Sequence, residues 1–421
     1  MAVWNGSLWA LGNGLASTTL VIYLARELYA ERLGLGIGLI LAAPHIAGLL
    51  RLGAPAMINR LGDRKRFCRA SFLLSALVLL AMPWVCAPGR LPSPGWSLAT
   101  LILLWCLYHL LQYLATVALW SWLADAAPQR IRGRFFGWRE RWMVAGTATA
   151  ALSAGLFVWG VRATQPGLPA WIPYAVMTGL GAIFMLAALA PLALMPPCAP
   201  PPSVPRGVTF RSIIKPFGDA RFLRLLAFGC WFSFFNGVTQ SAQNYYPMQV
   251  LGVSLFLLLT LKTGMRLGQW TVSPRLGALA DRFGNRPVMI VCQLMVAAGL
   301  LFFAAATRSH HWAWLIGAWV LWIAYAGLNV CLPNLMLKLS PHESNTSYVA
   351  AFFAVTGLCY AGSTIVGGVL LDSGQTWTVL PGGVAMHFFT YLFLFGWATR
   401  SLGALLLLLI VEPATKHGNA S

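Results

Sequence analysis

The sequence predicts an all-α integral membrane protein in which twelve transmembrane helices form two pseudo-symmetric six-helix bundles. Three observations lead to this fold class: an apolar composition, twelve long apolar segments and a weak repeat between the two halves. Of the 421 residues, 58% are hydrophobic and 9% are charged, against roughly 25% charged in an average soluble domain. A water-soluble protein of this size needs more charge to cover its surface. The composition therefore excludes a soluble enzyme, a disordered tail and a secreted disulfide scaffold.

Each apolar segment is long enough to cross a bilayer, which takes about 20 residues in a helix. Helices are required because backbone donors and acceptors inside lipid must be satisfied within the segment. The predicted spans are 6–27, 34–57, 70–88, 98–123, 142–161, 171–195, 222–246, 252–276, 288–307, 312–337, 347–371 and 384–411.

The charge distribution predicts the orientation and the partners. The chain has 29 Lys and Arg residues against 10 Asp and Glu residues, a formal net charge of +19. With the N-terminus inside, twenty of the basic residues lie in the inner segments or at the inner ends of spans, and five lie in the outer loops or at the outer ends of spans. This is the positive-inside bias. We therefore expect both termini in the cytoplasm. We also expect a bacterial inner membrane and a monomer. The expected partners are the lipid bilayer and a small-molecule substrate, with no nucleic acid.

No sequence motif indicates covalent, metal or cofactor chemistry. The eight cysteines form no Cys-x-x-Cys pair and lie mostly inside apolar segments, which is typical of small buried side chains. The sequence contains no nucleotide-binding loop, metal-ligand cluster or nucleophile elbow. We therefore expect no cofactor, no metal, no catalytic residue and no enzyme activity.

A proline-rich and then basic segment divides the chain into similar halves. The predicted domains are a six-helix bundle at 1–195, a cytoplasmic linker at 196–221 and a second six-helix bundle at 222–421. The loop after the second span of each half contains a similar basic motif, at 59–65 and at 281–287. Parallel repeats of this kind place a transporter's solute site near the bilayer midplane, between the repeats.

The second of these loops carries a sharper motif. Residues 277–286 read GALADRFGNR, which has the spacing Gly-x-x-x-Asp-Arg-x-Gly-x-Arg. With this motif and its twelve-span topology, the sequence resembles the major facilitator superfamily. The resemblance implies that fold and a transporter that works by alternating access. The first-half copy departs from the motif, because Pro55 and Asn59 stand where the family has glycine and aspartate.

The resemblance also implies gating residues at the cytoplasmic ends of the helices. A carboxylate and arginines at a helix end can pair with a neighbouring helix end and hold that side shut. For Arg64, a plain positive-inside anchor is the alternative. The segment that begins at Asp125 resembles the family's loop after the fourth helix. The predicted gating residues are Arg60, Gly62, Arg64, Asp125, Arg132, Gly277, Asp281, Arg282, Gly284 and Arg286.

Polar side chains recur at helical spacing on spans 1, 4, 7 and 10. Polar groups that face lipid are costly, so these stripes should face water, a solute or each other. The resemblance places the same four helices around a central cavity, whereas hydrogen bonding between helices would also explain any single stripe. The predicted solute-binding residues on these stripes are Asn13, His109, Gln112, Asn236, Gln240, Tyr325 and Asn329.

Basic residues also occur inside the spans, whereas no Asp or Glu lies at mid-depth of any span. Arg266 lies roughly 16 Å from the cytoplasmic end of its helix, near the midplane, and Lys262 lies one turn further out. An unpaired cation there costs at least ~2.5 kcal/mol. We therefore expect Lys262 and Arg266 to bind an anionic or carbonyl-bearing solute. Hydrogen bonding to neutral protein groups is the alternative, and it is favoured for Arg400.

These observations together predict a secondary active or facilitative transporter of a small molecule. Without a buried carboxylate, a standard proton symporter is disfavoured, although His45 or His109 could titrate instead. Two alternatives remain open. One is an exporter of amphipathic compounds, and the other is a transport-inactive membrane receptor or scaffold.

Overall fold

The computed structural model of the chain describes residues 1–29, 33–50, 57, 63–126, 132–196, 215–339, 345–374, 378–379 and 386–412. These ranges contain fifteen α-helices and one pair of two-residue strands. The predicted all-α fold class is therefore confirmed.

The helices of the N-terminal half account for the first six predicted spans. They are Ala2–Leu15 (α1), Thr18–Leu28 (α2), Leu33–Leu50 (α3), Arg64–Val85 (α4), Pro94–Ala126 (α5), Arg132–Thr164 (α6), Ile172–Ala187 (α7) and Leu189–Leu194 (α8).

The helices of the C-terminal half account for the other six spans. They are Ala220–Tyr245 (α9), Leu255–Phe283 (α10), Asn285–Ala305 (α11), Trp312–Leu321 (α12), Tyr325–Leu339 (α13), Asn345–Gly374 (α14) and Phe388–Leu408 (α15). Short 3-10 turns lie at Lys215–Gly218 and Trp322–Ala324, and a π-helical turn at Tyr246–Val250 follows α9. Strands Thr378–Val379 (β1) and Met386–His387 (β2) pair antiparallel.

Eleven helical stretches of the described residues are long and apolar enough to cross a membrane. The remaining predicted span is α10, a helix of 29 residues. Lys262 and Arg266 lie inside it and make it less apolar than the others. The helix is nevertheless long enough to span, because about 20 residues suffice.

Three predicted spans are interrupted, whereas the sequence pattern predicts continuous helices. Between α1 and α2, Ser17 is extended (φ −63°, ψ 151°), and its hydroxyl accepts a hydrogen bond from Leu20 N–H. Serine is a favoured N-cap, so it starts a new helix at this point. Between α7 and α8, Pro191 lacks the N–H that would continue the hydrogen-bond ladder, and Asn5 Nδ2 donates to the Ala188 carbonyl oxygen at 2.9 Å.

The third interruption is the 3-10 turn between α12 and α13. The indole of Trp322 donates to the Val296 carbonyl oxygen at 3.1 Å, and the Trp322 carbonyl oxygen accepts a hydrogen bond from Gln269 at 3.1 Å. A backbone carbonyl of α11 and a side chain of α10 therefore satisfy polar groups of Trp322 at this turn.

The structure divides into two compact units. The first unit comprises Met1–Gly207, Asn244–Thr263 and Thr364–Ser373. The second unit comprises Val208–Gln243, Gly264–Ser363 and Gly374–Ser421. The first unit therefore includes two segments from the C-terminal half of the sequence.

Close helix packing in the first unit depends on small residues. A Cβ on Gly12 would lie 2.6 Å from the Gly181 carbonyl oxygen, so α1 and α7 can approach only because this residue is glycine. Phe72, Leu119 and Trp122 belong to a buried apolar cluster that joins α4 and α5.

The core of the second unit is aromatic. Phe303 on α11 stacks on Trp322 with ring centroids 5.2 Å apart, and it meets Phe393 on α15 edge-on at 5.3 Å. Gln293, also on α11, donates to the Arg400 carbonyl oxygen at 2.9 Å. These contacts attach α15 firmly to α11 and thereby position Arg400.

Candidate functional site

A buried arginine organises polar side chains of the second unit. Arg400 lies in the middle of α15 and is fully buried. Its guanidinium donates hydrogen bonds to the Tyr325 hydroxyl and to the Asn236 carbonyl oxygen, each at 3.3 Å, and to the Thr239 hydroxyl. All three acceptors are neutral. The described residues thus give Arg400 no carboxylate partner, and its charge is balanced only by dipoles.

The same cluster brings together two predicted binding residues from different helices. The Tyr325 hydroxyl donates to Asn236 Oδ1 at 3.1 Å. Tyr325 is the first residue of α13, so the preceding 3-10 turn sets its position. Asn236 is half-buried on α9. We call Arg400, Tyr325, Asn236 and Thr239 the Arg400 cluster.

Lys262 lies beside the interruption of the first span. Its Nζ donates to Thr19 Oγ1 at 2.6 Å and to Asn244 Oδ1 at 3.1 Å, both of which are neutral acceptors. Thr19 is in the first turn of α2, where backbone N–H groups carry partial positive charge. Nearby, the Tyr23 hydroxyl donates to the Val253 carbonyl oxygen at 2.7 Å. This part of the first unit therefore combines a cation with the positive end of a helix.

Arg266 lies one turn beyond Lys262 on α10, within the second unit. It is exposed, and it makes no hydrogen bond or ion pair with any other residue that the structure describes. Eleven residues separate it from Leu255, the start of the helix, so it lies about 16 Å along the helix axis. A guanidinium directed at acyl chains from that depth would cost at least ~2.5 kcal/mol. Its chemistry therefore requires water or an anion.

His109 lies in an aromatic cluster on α5. Its ring centroid is 4.4 Å from that of Trp105, 4.9 Å from that of Tyr108 and 5.7 Å from that of Tyr113. The side chain is buried, and neither ring nitrogen has a hydrogen-bond partner among the described residues. One turn along α5, Gln112 Nε2 donates to the Tyr108 hydroxyl at 2.8 Å. The ring nitrogens of His109 could therefore bind a water molecule or a polar group of a solute.

The remaining predicted binding residues lie on α1, α9 and α13. Asn13 is half-buried on α1, shortly before the interruption, and Gln240 is half-buried on α9. Asn329 is exposed on α13, one turn beyond Tyr325. No hydrogen bond within the described part of the second unit joins Asn329 or Arg266 to the Arg400 cluster.

A carboxylate in the first unit ties two sequence-distant helices together. Asp372 accepts hydrogen bonds from the backbone N–H groups of Gly34 at 2.8 Å and Leu35 at 2.9 Å, at the start of α3. The aspartate is 338 residues from Gly34 in the sequence. A Cβ on Gly34 would lie 2.6 Å from the Gly368 carbonyl oxygen, so glycine permits the close approach of α3 and α14. The negative charge at this helix N-terminus is electrostatically favourable.

The predicted gating motif of the second half surrounds the turn between α10 and α11. Gly284 has φ +93°, a conformation that favours glycine. Asp281 and Arg282 are exposed, and no hydrogen bond or ion pair joins them to each other or to another described residue. Arg286 Nη1 donates to the Ile410 carbonyl oxygen at 3.3 Å. An ideal Cβ on Gly277 would lie 3.8 Å from Val330, which is an ordinary van der Waals contact, so packing does not require glycine there.

Glu412 joins this turn to the end of α15. It accepts hydrogen bonds from Asn285 Nδ2 at 2.7 Å, Arg286 N–H at 3.1 Å and Lys338 Nζ at 2.9 Å. Partial burial raises the pKa of Glu412, but these hydrogen bonds outweigh it, so the pKa lies below its usual value. The carboxylate therefore stays ionised at neutral pH.

The first-half gating residues are only partly within the described structure. Arg64 is the first residue of α4. Arg60 and Gly62 lie outside the described residues, as do the side chains of Asp125 and Arg132.

Several contacts had no signal in the sequence. Nothing in the sequence indicates the partners of Asp372 and Glu412, because those partners are distant in the chain. Lys65 donates to the carbonyl oxygens of Ala193 at 2.9 Å and Met195 at 2.6 Å, so it caps the end of α8. A cation at a helix C-terminus is a recognisable pattern, but the pairing of these helices is not visible in the sequence.

Comparisons with known proteins agree with this architecture. Residues 56–372 match the family model described as MFS/sugar transport protein. A comparison of the sequence with curated proteins gives no match.

Several solved structures share the fold at low sequence identity. A mutant of the nucleoside transporter NupG is 14% identical, with 98% of this chain and 99% of that chain covered and a TM-score of 0.72. A D-xylose-proton symporter is 18% identical, with 99% and 97% covered and a TM-score of 0.70. The xylose transporter XylE from E. coli, in an inward-open conformation, is 16% identical, with 99% and 96% covered and a TM-score of 0.69. The likeness extends over nearly the whole of each chain.

Proposed function

Because the chain belongs to the MFS/sugar transport protein family, we propose that it carries a small polar solute across the membrane by alternating access. Membership confirms the predicted resemblance to the major facilitator superfamily. The chain is a multi-pass membrane transporter of small molecules, and its family is one of transport proteins and not of enzymes. The driving force in this proposal is a gradient of the solute or of a coupled ion.

The proposed solute carries a carboxylate or carbonyl groups. The observation that carries this proposal is Arg266, which is exposed at mid-depth and makes no hydrogen bond or ion pair with the described residues. A permanent cation in that position attracts an anion more strongly than a neutral molecule, because the effective dielectric is lower than in water.

The surrounding charge supports the same solute class. No Asp or Glu lies at mid-depth of any span. Lys262 is hydrogen-bonded to the neutral groups of Thr19 and Asn244, next to the positive end of α2. Arg400 is likewise held by neutral groups. The membrane interior of this protein therefore has an excess of positive charge, which a negatively charged solute would offset.

Uptake into proteoliposomes tests the proposal. D-Gluconate serves as the anionic probe, since it combines a carboxylate with hydroxyl groups, and D-xylose serves as the neutral probe. A hydrogen bond to a charged group is worth about 1.5–3 kcal/mol. We therefore expect Arg266→Ala to lower kcat/KM for gluconate roughly ten- to hundredfold and to change xylose uptake less than about twofold. Arg266→Lys, which keeps the charge, should retain an intermediate rate.

Arg275→Ala provides the matched control. Arg275 is exposed on the same helix, but it lies near the cytoplasmic end, where water screens its charge. We expect near-normal gluconate uptake. Equal loss in both variants, or full uptake by Arg266→Ala, would contradict the assignment of Arg266. Transport of amphipathic cations without gluconate would favour an exporter of amphipathic compounds instead.

We also propose that the protein is a monomer in a bacterial inner membrane with both termini in the cytoplasm. The excess of basic residues in the inner segments supports this orientation. A fluorescent protein fused to the C-terminus should fluoresce, because it folds in the cytoplasm. Light scattering of the purified protein should give the mass of one chain. A fusion without fluorescence would refute the cytoplasmic C-terminus, and the mass of a dimer would refute the monomer.

A further inference from the structure

Arg400 does more than attach α15 to its neighbours. From its contacts we infer that it is a positioning residue, which orients Tyr325 and the side-chain amide of Asn236 so that this amide donates to an oxygen atom of the solute. The inference rests on the proposed function, since it needs a transported solute, and it specifies which group of the solute is recognised.

The direction of the hydrogen bonds in the Arg400 cluster follows from the donors available. A guanidinium has only donors, so the Tyr325 oxygen accepts from Arg400. The single hydrogen of the Tyr325 hydroxyl then points to Asn236 Oδ1, 3.1 Å away. The amide oxygen of Asn236 therefore faces Tyr325, and its Nδ2 points away.

The Asn236 amide group is left with unused donors. Its Nδ2 makes no hydrogen bond with another described residue, although the side chain is half-buried within a transmembrane helix. Unsatisfied donors in such a place are costly unless water or a ligand accepts from them. Because Asn236 is held through its amide oxygen and its amide nitrogen remains available, it is suited to donate to a hydrogen-bond acceptor.

The backbone around Arg400 is held on two sides. The indole of Trp231 on α9 donates to the Thr399 carbonyl oxygen at 2.8 Å. Gln293 on α11 donates to the carbonyl oxygen of Arg400 at 2.9 Å. These bonds fix the backbone at the base of the side chain, and the side chain itself is fully buried. Its guanidinium therefore provides a fixed point for Tyr325 and Asn236.

A purely structural role would not require a charge at this position. Burying a charge that has no ion-pair partner is costly, and a long neutral side chain could fill the same space at a lower cost. The guanidinium supplies what such a side chain cannot, which is several directed donors and a positive potential. The directed donors hold Asn236 in place, and the positive potential attracts an oxygen atom of the solute, above all that of a carboxylate, to Asn236 Nδ2.

Gluconate uptake by purified protein in liposomes tests the inference. We expect Tyr325→Phe and Arg400→Lys each to raise KM about tenfold, with Vmax within a factor of two of the wild type. The double variant should resemble the single variants, because both changes disturb one unit. Phe302→Leu is the structural control. It removes the edge-on contact between the rings of Phe302 on α11 and Trp314 on α12, whose centroids are 5.7 Å apart, and it leaves the Arg400 cluster intact. It should therefore lower the melting temperature without changing KM.

The outcomes separate the inference from the function on which it rests. A lowered melting temperature and Vmax with unchanged KM in Tyr325→Phe and Arg400→Lys would overturn the positioning role. Tyr325→Phe decides alone if Arg400→Lys does not fold. If the wild type transports xylose but not gluconate, the anionic solute is refuted, and the same KM comparison is made with xylose. If it transports neither, the proposed function fails and the inference falls with it.

Discussion

Replacing Asp372 with asparagine is expected to loosen the start of α3. The carboxylate accepts two backbone hydrogen bonds there, at 2.8 and 2.9 Å. Asparagine has nearly the same shape but only one acceptor oxygen and no charge. One bond is therefore lost and the other becomes a neutral one.

The magnitude follows from the strength of these bonds. A hydrogen bond to a charged group contributes about 1.5–3 kcal/mol and a neutral one about 0.5–1.5 kcal/mol. Because Asp372 is only half-buried, we take the low end for the charged bonds: the lost bond costs about 1.5 kcal/mol and the weakened bond about 0.5 kcal/mol. The substitution should therefore cost about 2 kcal/mol, which corresponds to a roughly thirtyfold rise in the population of locally open states. Amide hydrogen exchange measures this population directly when reclosing is much faster than the chemical exchange of the open state.

Mass spectrometry of hydrogen exchange on the protein in detergent provides the assay. Peptides that cover the start of α3 should exchange roughly thirtyfold faster in Asp372→Asn. Asp63→Asn is the matched control, since Asp63 also accepts a backbone hydrogen bond at a helix start, from Arg66 N–H at 3.0 Å. Asp63 and Arg66 are exposed, so that cap should contribute only about 0.5–1 kcal/mol. Wild-type exchange at the start of α3 in Asp372→Asn would refute the reasoning.

Three further predictions concern other contacts. Glu412 has a lowered pKa in the folded state, so its contribution to stability is complete above the usual carboxyl pKa and is lost as the pH falls through the lowered value. Glu412→Gln should therefore flatten the acid branch of a plot of melting temperature against pH. An unchanged plot would contradict a stabilising role of the Glu412 carboxylate. Gly284→Ala should cost about 1–3 kcal/mol because φ is +93°, whereas Gly160→Ala, with open space around it, should not lower the melting temperature. Lys262→Met should reduce gluconate uptake about tenfold and spare xylose uptake, and equal losses for both solutes would contradict a role of its charge.

The transmembrane architecture could be predicted from the sequence because it depends on composition. A span is a run of apolar residues, and lipid forces such a run into a helix. The interruptions depend on finer chemistry. Serine is a favoured N-cap, but a serine inside an apolar segment can also lie within a continuous helix. The sequence alone therefore does not indicate that a helix ends before Ser17.

The polar contacts were less predictable because they depend on which helices meet. The spacing of Asn236 and Tyr325 indicated inward-facing positions, and the structure brings the two together. It also shows that a third helix supplies the arginine that holds them, which no spacing in the sequence could indicate. The same holds for Asp372, whose partners are the backbone N–H groups of α3. Backbone partners leave no trace in side-chain patterns.

In both units a cation lies beside an interrupted span. Lys262 is hydrogen-bonded to the first turn of α2, directly after the interruption at Ser17, and Arg400 is hydrogen-bonded to Tyr325, directly after the 3-10 turn. An interruption exposes backbone groups that lipid cannot satisfy, and an intramembrane charge is costly for the same reason. An interruption and a charge are each tolerated where polar groups or water surround them. Because they occur together in both units, they mark one polar region in each unit.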